Sequence, residues 1–163
     1  MTAAKSKYIP QEPDRLDELV DGDIVGESDP PIKKGRTGSR AAVVQALYES
    51  DSSGHPAASA IKRLAIEREI IDDDIDFAIR LARVCEDQRT ELDSRIAKIA
   101  SQYPSEQMPL VERNVLRVAM AELAMVDAAP QNVVVNEAVE LARLFGSDTS
   151  PKFINGVLGA LLA

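Results

Sequence analysis

From Thr37 onward the apolar side chains recur every three to four residues and nowhere alternate one by one, which restricts the chain to helices. Val44, Leu47 and Tyr48 share one face of a first helix, which Ser50, Ser52, Ser53, Gly54 and Pro56 close. A second helix covers about 58–69, with Ile61, Leu64 and Ala65 facing inward. Asp72, Asp73 and Asp74 then put negative charge where the next helix exposes unpaired N–H groups. Ile75, Ile79, Ala82, Leu92, Ile96 and Ile99 continue the inward stripe along one long or broken helix. Pro104 and Pro109 mark a turn before a helix over about 110–126, whose stripe is Val111, Val115, Val118, Ala119 and Leu123. Pro130 starts another, with Val134, Ala138, Leu141 and Phe145 on one side and Gly146 where a left-handed C-terminal cap would fall. The last helix has Ser150 as N-cap, Pro151 at its first position and Phe153, Val157 and Leu161 along one side. Gly156 and Gly159 weaken it by about 1 kcal/mol each relative to alanine, so close packing against a neighbour is expected there. The pattern reads as an all-α domain.

The 163 residues suit one such domain, and 45% hydrophobic residues with few aromatics build a core from aliphatic and alanine packing. Residues 1–34 read differently. Pro10, Pro13, Pro30 and Pro31 interrupt a stretch in which Glu12, Asp14, Asp17, Glu18, Asp21, Asp23, Glu27 and Asp29 outnumber scattered apolar residues. Such a segment cannot repay the entropy of ordering, and we expect a disordered acidic arm followed by a domain over 35–163. Charge changes sign near Pro31: Lys33, Lys34, Arg36 and Arg40 carry no acid among them. The net charge of −8 nevertheless excludes a protein that coats nucleic acid by global attraction, so any RNA site must be a local patch. The longest apolar run falls far short of the ~20 residues that span a bilayer, and the amino end has no apolar signal core. A cytoplasmic protein without membrane contact is the expectation, and the single cysteine, Cys85, agrees with a reducing compartment.

Catalytic chemistry finds little support. His55 is the only histidine and lies in a Ser/Gly/Pro loop with no cysteine or acid beside it, so neither a triad nor a multi-histidine metal site assembles around it. Consecutive aspartates at 72–74 point in different directions on a helix, which favours capping over metal ligation. Gly35-Arg36-Thr37-Gly38 lacks the Lys and Ser or Thr that a phosphate-cradling loop needs after its second glycine. Cys85, among Ala82 and Val84, reads as buried packing. No enzyme, cofactor or metal is expected.

The most specific signal lies in the last third: Val111-Glu112-Arg113-Asn114-Val115-Leu116-Arg117-Val118-Ala119-Met120-Ala121-Glu122-Leu123, Asn132 to Gly146 around Asn136-Glu137-Ala138, and Ser150-Pro151-Lys152-Phe153-Ile154-Asn155-Gly156. With Gln45-Ala46-Leu47-Tyr48 upstream, these blocks resemble the NusB family of bacterial transcription antitermination factors, from about Arg36 to Leu162. The resemblance implies a compact bundle of about seven helices in two small packed bundles. It implies binding to the boxA element of nascent ribosomal RNA transcripts together with NusE, a small-subunit ribosomal protein, within an RNA polymerase complex that reads through terminators. The family's arginine-rich segment matches Arg36 to Tyr48, although Thr37 and Gly38 stand where further basic residues are common. Lys152 and Phe153 match a second RNA contact, and Glu112 matches an acidic position toward the protein partner. Asn136 and Glu137 belong to the family motif and are expected to fix neighbouring helix ends by hydrogen bonds.

Cations at Lys33, Lys34, Arg36 and Arg40 would neutralise about four phosphates, giving a log affinity against log salt slope of roughly −3 on single-stranded RNA. Tyr48 and Phe153 offer flat faces for an unstacked base, weighed against core packing. Two rival readings are a substrate-holding domain like that of certain ribosomal RNA cytosine methyltransferases, although no Gly-rich strand–turn–helix unit is present, and a homodimeric scaffold with a masked RNA surface. The acidic arm beside the basic patch is either a solubilising tail or a decoy for phosphate. A decoy makes deletion of residues 1–29 strengthen RNA binding at low salt in a gel-shift titration; unchanged affinity identifies a passive tail.

Overall fold

The computed structural model describes residues 34–101 and 107–163; Lys33, Pro104 and the acidic arm lie outside the described residues. Among the described residues the chain is all-helical, with seven helices: α1 (Gly35–Ser53), α2 (Ala58–Glu67), α3 (Asp72–Asp87), α4 (Arg89–Ile99), α5 (Leu110–Leu123), α6 (Gln131–Phe145) and α7 (Ser150–Leu162). None of them is long and apolar enough to cross a membrane. Helices α1, α2 and α3 pack on one another, α4, α6 and α7 pack around α5, and α5 also lies against α1 and α3. The result is two small bundles sharing α5. That central place explains its burial, which extends around the helix from Asn114 to Glu122 rather than along one stripe. Val111 and Leu123, at its ends, are half-buried.

Local chemistry sets the boundaries. Gly54 ends α1 in the left-handed region at φ 78°, where its N–H donates to the Ser50 carbonyl at 2.8 Å. Ile61, Leu64 and Ala65 are the buried face of α2, as their spacing predicts. The long or broken third element is broken at Gln88, and Asp72, Asp73 and Asp74 occupy the first turn of α3 without a side-chain cap hydrogen bond. There the largest buried side chain is Phe77, while Ile75 and Ile79 are only half-buried. Cys85 is buried, which pushes its thiol up to about 12.

Three terminal expectations are corrected. Gly146 is extended, at φ −97°, and not left-handed. A Cβ there would lie 2.4 Å from Ser150 Oγ and 2.7 Å from the Ala142 carbonyl oxygen, so close approach is what demands glycine. Thr149, not Ser150, is the N-cap of α7; Ser150 turns its hydroxyl back to accept from the Ser147 N–H at 2.9 Å. Gly156 and Gly159 have nothing within 4 Å of an added Cβ, so no neighbour requires them.

Charged groups lock α1 to α5 at both ends. Arg40, 4% exposed, donates from Nε and Nη2 to Glu122 Oε2 and Oε1 at 2.7 and 2.6 Å, and Glu122 is fully buried. Its Nη1 lies 3.5 Å from Glu137 Oε1 on α6. Burial opposes the Arg40 charge, but the Glu122 hydrogen bonds and the charges of Glu122 and Glu137 outweigh it and raise its pKa. At the opposite end, Asp51 accepts from Arg117 Nη1 at 3.2 Å and from Asn114 Nδ2 at 3.1 Å, and Arg117 reaches Asp93 on α4 at 2.7 and 2.8 Å. Helices α1 and α5 are therefore antiparallel, with their register set by two polar contacts.

Removing one partner strands a buried charge, so Arg40→Ala is expected to cost about 3–5 kcal/mol in urea denaturation. An Arg40→Met/Glu122→Leu double variant should recover much of that loss. In the same assay Gly146→Ala should destabilise by about 1–3 kcal/mol through overpacking, whereas Gly156→Ala and Gly159→Ala should each stabilise by up to about 1 kcal/mol.

Candidate functional site

The start of α1 and the residue before it present Arg36 and Lys34 to solvent. Lys34 precedes the helix in extended backbone, and its Nζ lies 2.9 Å from Glu69 with both side chains exposed. Arg36 lays its guanidinium over the Phe77 ring, Cζ 4.2 Å from the centroid, with Nη2 3.7 Å from Asp127. One turn later the helix has rotated into the core: Gly38, Ser39 and Arg40 are buried, and the Ser39 hydroxyl donates to the Asp74 carbonyl at 2.7 Å. Arg40 was expected beside Arg36 as a phosphate-binding cation. The structure corrects this, because its fork is filled by Glu122 beneath the surface. A helix advances 100° per residue, so four residues preserve a face only roughly, and the partner that captured Arg40 lies 82 positions away.

Another cation takes the surface place. Arg80, on α3, holds Asp127 through Nη1 and Nη2 at 3.2 and 3.1 Å, with its Cζ 5.9 Å from the Phe77 centroid. Sequence reasoning passed over Arg80 and Asp127. The one available hint was that Arg80 follows Phe77 by three residues and shares its helix face. Thr37, in a position where the resemblance leads one to look for a basic residue, instead donates to Glu137 Oε1 at 2.8 Å. Glu137 thus ties α6 to the start of α1, the helix-end role expected of it, while Asn136 is exposed.

Tyr48 lies toward the other end of α1, and Lys152 and Phe153 lie at the start of α7, in the second bundle. Tyr48 is 46% exposed and is not a core residue, although Leu47 beside it is fully buried. It lies about 18 Å from Arg36 along the axis, at about 1.5 Å per residue. Because α5 runs antiparallel to α1, the start of α5 lies at this end, and Ser150 attaches α7 to it by donating from its hydroxyl to Glu112 Oε1. Glu112 is only 7% exposed. Expected as an acidic contact for a partner, it also forms an internal bracket between α5 and α7, its Oε1 accepting from Ser150. That bracket presents the first turn of α7, where Lys152 is exposed and Phe153 is half-buried against the core. A cleft of about 380 Å³ opens there, lined by Met108, Pro109, Glu112, Thr149, Lys152 and Phe153 among others.

For catalysis the described residues offer little: His55 is exposed between α1 and α2, Cys85 is buried, and no group of three or more His, Cys, Asp or Glu could hold a metal ion. What the described residues offer is exposed surface: cations around Lys34, Arg36 and Arg80, Tyr48 farther along α1, and Lys152 with Phe153 beside the cleft at the start of α7.

Comparison with known proteins bears on this surface. The NusB family model matches residues 37–163. The transcription antitermination protein NusB of Dehalococcoides mccartyi (strain CBDB1) is 41% identical over 126 residues, covering 77% of this chain and 88% of that protein. The corresponding protein of Herpetosiphon aurantiacus is 43% identical over 126 residues, covering 76% and 86%. Among solved structures, T. maritima NusB superposes with a TM-score of 0.71 at 27% identity, covering 78% of this chain and 89% of that one. A chain from the complex of the antitermination factors NusB and NusE with double-stranded RNA gives 0.69 at 30% identity, covering 77% and 94%. With a family match that begins in the first turn of α1 and takes in every later helix, the chain belongs to the NusB family.

Proposed function

We propose that this protein is an RNA-binding transcription antitermination factor of the cytoplasm that binds the boxA element of nascent ribosomal RNA transcripts together with NusE and helps RNA polymerase read through terminators. The observation that carries this reading is its likeness to a NusB chain captured with NusE and RNA, over nearly all of that chain. It is a binding protein and not an enzyme. The curated relatives, matched over most of their own length, are antitermination proteins, which favours this reading over a methyltransferase substrate domain.

Physically, RNA is held by cations at the start of α1 and by aromatic faces on α1 and α7. Lys34 and Arg36 take backbone phosphate, with Lys33 and the arm outside the described residues adding to or competing with them. Tyr48, and Phe153 beside Lys152, lie where an unstacked base can rest, a mode suited to single strands. With Arg40 withdrawn into the core, few cations face the phosphates and affinity for RNA alone is modest. NusE supplies the missing selectivity, since two linked weak contacts multiply through effective concentration.

A binding titration with single-stranded boxA RNA and a scrambled strand, with and without NusE, tests ligand, specificity and partner together. Preference for boxA, sharpened by NusE, is the expected outcome; equal binding to both strands in both conditions defeats the reading. Replacing Lys34 and Arg36 with alanine should flatten the log–log salt slope by about 1.4, at about 0.7 per phosphate contact.

A further inference from the structure

Asp127 sits in the turn between α5 and α6, and its carboxylate is gripped from two other helices. Arg80 of α3 donates to it with both terminal nitrogens, and Arg36 of α1 stands 3.7 Å away. Both guanidinium groups converge on the buried Phe77 ring, 4.2 and 5.9 Å from its centroid. All three charged side chains are open to solvent, at 43% for Arg36, 42% for Asp127 and 48% for Arg80. A carboxylate and a phosphate make the same two-pronged hydrogen bonds to an arginine fork. Asp127 therefore occupies the place that a phosphate reaching Arg36 would take. Arg40, the third guanidinium near the ring, is committed to Glu122 and does not compete.

Resting on the RNA-binding reading above, we propose that Arg80 is a further RNA-contacting residue and that Asp127 is a built-in phosphate mimic, which RNA displaces from Arg36 and Arg80 and which thereby sets the affinity. Exposed ion pairs are weak because water screens them, so displacement is easy. The displaced carboxylate stays tethered within Coulomb range of the incoming phosphate and opposes it. In the resting protein the Arg80 hydrogen bonds hold the Asp127 carboxyl below its ordinary range, and an aspartate freed from them is still ionised at neutral pH. Nothing in the local sequence announces this device, because its three members lie on α1, α3 and the α5–α6 turn.

Full-length Asp127→Asn, Arg80→Ala and Glu91→Gln proteins would be titrated with single-stranded boxA RNA by fluorescence anisotropy across a salt series. Glu91 is the charge control for the Arg36–Arg80–Asp127 cluster: it is exposed in the first turn of α4, where Arg89 pairs with Asp51 at the far end of α1 from Arg36. Asp127→Asn should bind about threefold to tenfold more tightly at low salt, with a steeper slope. Arg80→Ala should bind about threefold to tenfold more weakly, with a slope flatter by about 0.7. Glu91→Gln should change affinity less than about twofold. The proposal is overturned if Asp127→Asn is unchanged or weaker, if Arg80→Ala is unchanged, or if Glu91→Gln gains as much as Asp127→Asn. Loss of boxA preference in the unmodified protein would instead remove the functional reading itself, so the two failures are distinguishable.

Discussion

The bidentate pair between Arg40 and Glu122 is the contact on which the rest of the molecule depends. Two ions taken from water carry a large desolvation cost, which is offset here by two short parallel hydrogen bonds and the added charge of Glu137. Such a pair tolerates little displacement, so it holds α1, α5 and α6 in one arrangement. A second polar knot, Asp51 with Arg117 and Asn114, does the same at the other end of α1. Aliphatic side chains between the two knots supply the burial. The knots select a register among the many that aliphatic packing would accept.

The same pair decides how the surface is charged. By withdrawing one arginine of the first helix, it leaves Arg36 to share Phe77 and Asp127 with Arg80, a residue of another helix. A protein of net charge −8 can bind RNA only where cations are concentrated, and folding has built such a place from separate segments. The start of α7 follows a similar logic. Glu112 and Ser150 join α5 to α7, and the missing side chain at Gly146 leaves room for the Ser150 side chain. Lys152 and Phe153 are placed there through contacts made by their neighbours.

The helices were legible in the sequence because a buried stripe must repeat with the helical period whatever it packs against. Ile61, Leu64 and Ala65 illustrate this, as does Val134-Ala138-Leu141. Periodicity is silent on how wide the stripe is, so it missed that α5 is buried around most of its circumference and that Phe77 anchors α3. It also cannot say what touches a glycine. Gly146 looked like a left-handed cap and is a close-contact site, while Gly156 and Gly159 looked like close-contact sites and face open space.

Sequence by itself determined the helical class, the helices to within a few residues at their ends, and membership of the NusB family, since each is written in residues near one another along the chain. Only the tertiary structure decided which charges are available. Arg36 and Arg40 are equivalent as letters, yet one lies against Asp127 in solvent and the other is locked to Glu122 in the core. The difference lies in the partners, some eighty to ninety positions away, and an ionic contact is fixed by distance in space, which the order of residues does not contain.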